Sequence, residues 1–246
     1  MRSVIFILVA SLFLIGCGAS QKITVDKQLT NRALSTGTST PMGLVFGSIG
    51  HGKQDGEGFP HKEMHLKYEG DRHKSKFELT STSVFDHVDD QGNVEIFAEM
   101  MPPGRYAITG FYVSTLSMFG GGSWENRNPF YIQFEVKAGQ ATYIGEYLHH
   151  MALRSGDPSW FAIHGGTYFV VSDQFERDEA LFEDKFPNFQ LRDVFQDVPT
   201  RDEVPDNVFF FFNDTRLLPD GLDRIEDEHY DEYIRPVVIP VVVPAS

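Results

Sequence analysis

The sequence predicts a mainly β protein, an antiparallel sandwich followed by short C-terminal helices. Three observations lead there. Short segments that are apolar or alternate in polarity recur from Met42 to Val171, with turn residues between them. Phe is frequent, at 22 residues, which suits a core built on large apolar side chains. Cys17 is the only cysteine, so no internal disulfide can form and the fold rests on packing.

The chain opens with Met1-Arg2-Ser3, an apolar run from Val4 to Ile15, and Gly16-Cys17. A positive residue before about a dozen apolar ones is the layout of a secretory signal, too short for a spanning helix of roughly 20 residues. Leu14-Ile15-Gly16-Cys17 resembles the lipobox of bacterial lipoproteins, in which a small residue precedes the cysteine that accepts the acyl chain. The expected organisation is a signal peptide over residues 1–16, then a lipid anchor at Cys17 and a Ser/Thr/Gly-rich tether through residue 41. A sandwich over 42–172 and a helical and extended C-terminal extension over 173–246 complete it.

Gly43–Ile49 reads as a buried first strand. In His61–Tyr68, Met64, Leu66 and Tyr68 fall on one face and His61, Glu63, His65 and Lys67 on the other. Further strands are expected at Ser75–Thr80, Asn93–Glu99, Arg105–Ser114, Phe130–Val136, Ala141–Met151 and Trp160–Val171. Lys137-Ala138-Gly139-Gln140 is a tight turn. Pro103-Gly104 predicts a type II turn, with positive φ at the glycine. Gly120-Gly121-Gly122 reads as a loop beside exposed Phe119 and Trp124.

Beyond Val171 the period changes. Asp173 and Glu176 have capping-box spacing, and Phe175, Phe182, Phe186 and Phe189 form a helical stripe. Leu191, Val194, Phe195 and Val198 keep helical spacing up to Pro199, so one or two short helices are expected over the sandwich. The Pro- and Val-rich tail 236–244 reads as an edge strand or a docked segment.

Asp89-Asp90-Gln91-Gly92-Asn93, the strand after it, and Pro102-Pro103-Gly104-Arg105-Tyr106 resemble the carboxypeptidase regulatory-like, or transthyretin-like, β-sandwich domains, whose layout is Ig-like. Phe134–Gly145 is similar to a segment of bacterial lipoproteins that carry such a domain. The resemblance covers roughly 42–172 and implies a binding or structural module with no catalytic motif.

The formal charge of −14 becomes −15 once Arg2 is removed, which argues against nucleic acid or anionic lipid as the main partner. The expected partners are the membrane, through Cys17, and another envelope protein. Gly18 is not the aspartate that holds lipoproteins in the inner membrane, which favours the outer membrane, facing the periplasm.

Chemistry-bearing clusters are few. His61, Glu63 and His65 share a strand face and could ligate zinc or copper given a fourth group, the basis of an alternative reading as a metal-dependent enzyme. The preferred expectation is a solvated face with no metal and no cofactor. Asp86, Asp89, Asp90 and Asn93 cluster in a loop without EF-hand spacing, and a hairpin loop needs no ion. G-x-S-x-G and S-x-x-K signatures are absent, and no catalytic residue is assigned. A carbohydrate-binding sandwich would require Trp124, Tyr131 and Trp160 exposed on one face.

Overall fold

Period-two patterning over most of the chain becomes strand. Among the residues described, the strands run β1 Gly43–Gly52, β2 His61–Gly70, β3 Lys74–Thr80, β4 His87–Val88, β5 Gly92–Met101, β6 Gly104–Ser117, β7 Gly120–Asn126, β8 Ile132–Val136, β9 Ala141–Met151, β10 Leu153–Arg154 and β11 Thr167–Ser172. Helix α1, Phe175–Lys185, follows, then β12 Phe195–Gln196, β13 Phe210–Phe212, β14 Arg224–Ile225 and β15 Ile234–Pro236. The computed structural model describes residues 42–52, 61–71, 73–80, 84–117, 120–127, 130–151, 153–154, 167–203, 210–217, 224–225 and 234–236. The signal segment, Cys17, the tether and Trp160 lie outside the described residues, as do the side chain of His61 and most of the acidic stretch 220–232.

Two sheets form the sandwich. One has the order β13-β11-β9-β1-β5-β4, with β12 also on β9; the other has β15-β7-β6-β2-β3, with β8 also on β6. Antiparallel pairs dominate, but the first sheet is mixed, because β1 runs parallel to β9, β13 to β11 and β12 to β9. Between the sheets lie Val45, Ile49, Met64, Leu66, Phe97, Phe111 and Phe169. Aromatic pairs tie the layers together: Phe77 stacks on Phe97 with ring centroids 4.2 Å apart, and Phe111 packs tilted on Phe169 at 5.5 Å. In β8 the alternation is complete, with Ile132, Phe134 and Val136 inward and Gln133 and Glu135 outward. Strand β1 is buried on both faces over its first eight residues, because α1 covers the side away from the second sheet.

Two glycines set the geometry of β9. Gly139 takes φ 73° in the turn that Gln140 N–H closes onto Lys137 C=O at 3.2 Å. Gly145 takes φ 95° where the β1–β9 register shifts. That bulge changes the phase of the strand. Ile144 and Tyr147 both enter the core, while Tyr143 and Glu146 both turn to the outer face beneath α1.

Several expectations are corrected. Gly104 has φ 158°, close to extended backbone, and begins β6; the turn is held by Tyr106 Oη–H donating to Pro102 C=O at 2.8 Å. Gly120–Gly122 belong to β7, a hairpin partner of β6, and Trp124 is only 2% exposed. The carbohydrate platform therefore loses Trp124, although Tyr131 is exposed. The expected capping box does not form: Gln174 is the N-cap without a side-chain bond, and Asp173 Oδ1 instead accepts from Phe175 N–H. The helix predicted over 191–198 is extended chain. Backbone bonding to β9 wins there, with Phe195 and Gln196 alongside Thr142 and Tyr143 and Asp197 N–H donating to Tyr143 C=O. The C-terminal extension thus adds strands to both sheets; of the tail, Pro236 lies in β15, and the rest falls outside the described residues.

Candidate functional site

The alternation of β2 places Glu63 and His65 on the outer face of the second sheet, as the sequence predicts. Antiparallel pairing then sets His65 opposite Glu78 of β3 and Tyr112 of β6, and Glu63 opposite Ser114. His65 is not solvated as expected: it is 8% exposed, with the Tyr112 ring tilted over it at 5.4 Å. The group missed in the sequence is Glu78. Ligand-capable atoms of Glu63, His65 and Glu78 all lie within 4.8 Å of one another, the one such trio of His, Cys, Asp or Glu among the described residues.

A lysine completes the cluster. His65 Nε2 is 2.6 Å from Glu63 Oε1, 3.7 Å from Glu78 Oε1 and 3.1 Å from Lys76 Nζ. The ammonium is also 3.2 Å from Glu78 Oε2 and 3.8 Å from Glu63 Oε1. A neutral imidazole nitrogen either donates to the carboxylate or accepts from the ammonium; it cannot do both. Ser114 is buried, and its hydroxyl has no hydrogen-bond partner among the described residues.

A second polar cluster lies under α1, on the opposite sheet. Glu146 is fully buried; its Oε1 accepts from Arg216 Nε at 2.6 Å and Ser172 Oγ at 3.1 Å, and its Oε2 from Arg177 Nη2 at 2.8 Å. Asp178 accepts from Ser48 Oγ at 2.6 Å, Tyr143 Oη at 2.9 Å and Arg177 Nη2 at 2.6 Å. Burial raises the Asp178 carboxyl above its ordinary range, against the lowering pull of Arg177. Burial likewise raises the Tyr143 phenol, aided by Asp178.

Arg216 reaches on to Asp89 in the loop between β4 and β5. Burial would raise Asp89, but the N–H of Gly92, the Arg216 guanidinium and the N–H of Gln91 together hold it well below the carboxylate range. Asp86 pairs with Lys185 at 2.6 Å. Two of the three loop carboxylates considered for calcium, Asp86 and Asp89, are therefore bound to protein cations and backbone, and Asp90 is exposed. This cluster pins α1 and the 213–217 turn to the sheet, a structural role that sequence spacing could not show.

No family model matches the chain, and no curated protein does. Among solved structures, a leucine-rich repeat protein from Bacteroides thetaiotaomicron is similar at 12% identity over 44% of this chain and 14% of that one, with a TM-score of 0.28. The chain thus spans a small part of that protein's length.

Proposed function

We propose that this protein is a lipid-anchored envelope lipoprotein whose β-sandwich acts as a binding or structural module. The observation that carries the reading is Leu14-Ile15-Gly16-Cys17 after a short apolar run, with Cys17 the chain's only thiol. In this reading Cys17 carries the lipid, the segment to residue 41 is the tether, and the sandwich faces the periplasm from the outer membrane. The turn motifs at 89–106 support kinship with transthyretin-like domains, and Tyr106 closing onto Pro102 gives that motif a physical purpose. The negative charge suits a body held at a membrane by its lipid and not by a basic patch.

The test is metabolic labelling with an alkyne fatty acid in a bacterial host, followed by membrane fractionation. The wild-type chain should take up label and partition with outer membranes. Cys17→Ser should lose the label and accumulate as precursor or soluble protein. Labelling that persists in the variant would refute the anchor.

A further inference from the structure

The geometry points to a divalent transition-metal site at Glu63, His65 and Glu78, with Lys76 as its built-in competitor. The inference is independent of the lipid anchor, since it concerns three side chains on one sheet face. Two carboxylates and an imidazole, drawn from adjacent strands with fixed register, supply one nitrogen and up to four oxygens. Imidazole with carboxylates suits Zn2+, whereas Mg2+ and Ca2+ favour oxygen alone.

The present contacts are those of a site filled by the wrong cation. Nε2 of His65 has a carboxylate at 2.6 Å and an ammonium at 3.1 Å, and its single lone pair or proton serves one of them. A zinc ion satisfies the imidazole and both carboxylates at once. It takes the Nε2 lone pair and carboxylate oxygens of Glu63 and Glu78 at about 2.0–2.2 Å. Small side-chain rotations from the observed separations of 2.6 and 3.7 Å suffice. Lys76, whose side chain is 40% exposed, then swings into water. Ser114, buried and cross-strand from Glu63, places a hydroxyl on the same face, where it can donate to the Glu63 carboxylate and orient it.

The ammonium makes the site selective for conditions rather than permanently loaded. Occupancy by Lys76 costs nothing when metal is scarce, and the three acceptors are never left without a cation. Because Lys76 is half-exposed, its competition is partly screened, so its removal should tighten zinc binding severalfold, by no more than about tenfold.

The test uses the purified full chain carrying Cys17→Ser in every sample, so that no thiol competes for metal. Zn2+ is titrated by isothermal calorimetry, with Mg2+ as the control ion, and circular dichroism reports folding. The expected result is one equivalent of Zn2+, no response to Mg2+, tighter binding in Lys76→Met, and loss of the equivalent in His65→Ala. Glu78→Gln, nearly isosteric and partly exposed, gives the same loss without disturbing the buried histidine. One equivalent that survives in both His65→Ala and Glu78→Gln overturns the assignment. So does a folded Lys76→Met chain that binds no Zn2+.

Discussion

Replacing Glu146 by glutamine keeps the side chain's shape and removes only its charge, which isolates what the buried network contributes. The wild-type carboxylate accepts two charge-assisted bonds, from Arg216 at 2.6 Å and Arg177 at 2.8 Å. Such bonds contribute about 1.5–3 kcal/mol each, so the pair is worth about 3–6 kcal/mol. Glutamine retains one neutral acceptor, worth about 1 kcal/mol, but its amide donors confront the Arg177 guanidinium. Arg177 still has Asp178, and Arg216 still has Asp89, which limits the damage. The net loss should be about 2–4 kcal/mol, a large share of a typical stability of about 5–15 kcal/mol. In urea unfolding followed by far-UV circular dichroism, the midpoint should fall by about 1–2 M with unchanged slope. The Glu146→Gln/Arg216→Gln double variant should be less destabilised than the sum of the singles. A midpoint within about 0.3 M of wild type, or strict additivity of the two, would refute the reasoning, because a desolvated, paired carboxylate cannot be neutralised without cost.

Two other expectations follow from single backbone and side-chain environments. Gly139→Ala should cost about 1 kcal/mol from its positive φ alone, since no atom lies within 4 Å of the added methyl; a neutral or stabilising result by thermal unfolding would contradict the turn. His150 is buried, which lowers its pKa to about 4 from the ordinary 6.5, against the raising effect of the Arg216 backbone. Its folded-state pKa is thus depressed, so its contribution is complete above pH 6.5 and is lost as pH falls toward 4, about 3 kcal/mol over that span. His150→Gln should flatten the stability curve in that window; an equally steep acid loss in the variant would remove His150 as the cause. Asp89, also lowered, adds a further loss only below its ordinary value of 3.8.

Local patterning was readable where one principle decides the outcome. Met64, Leu66 and Tyr68 are buried as their alternation requires, and all the long strands of the sandwich up to β9 except β7 were anticipated. The triple glycine of β7 misled because glycine punctuates loops, while here the ladder to β6 overrides that preference. Leu191–Val198 misled because spacings of three and four residues also suit an extended chain laid along a sheet. The mixed pairing of β1 with β9 depends on contacts almost a hundred residues apart, which no local pattern encodes. Glu78 was nearer to hand. A tight hairpin joining β2 to β3 aligns Glu69 with Lys74 and hence His65 with Glu78, so the acidic partner was implicit in the register. The network beneath α1 was not, because Ser48, Glu146, Arg177 and Arg216 come from four separate regions.

The last strands of the chain complete both sheets: β13 lies against β11 at one end of the first, and β15 against β7 at one end of the second. Neither sheet can reach this width until residues 210–212 and 234–236 have been made. A nascent chain that stops short presents bare ladder groups on β11 and β7, the kind of template that recruits foreign strands. Long-range pairing of this sort also slows folding. If the chain is exported as proposed, delay is an advantage while it is threaded unfolded through a membrane channel, and a hazard afterwards. C-terminal truncation should therefore convert this protein from a late folder into an aggregating one, with β7 and β11 as the sticky edges.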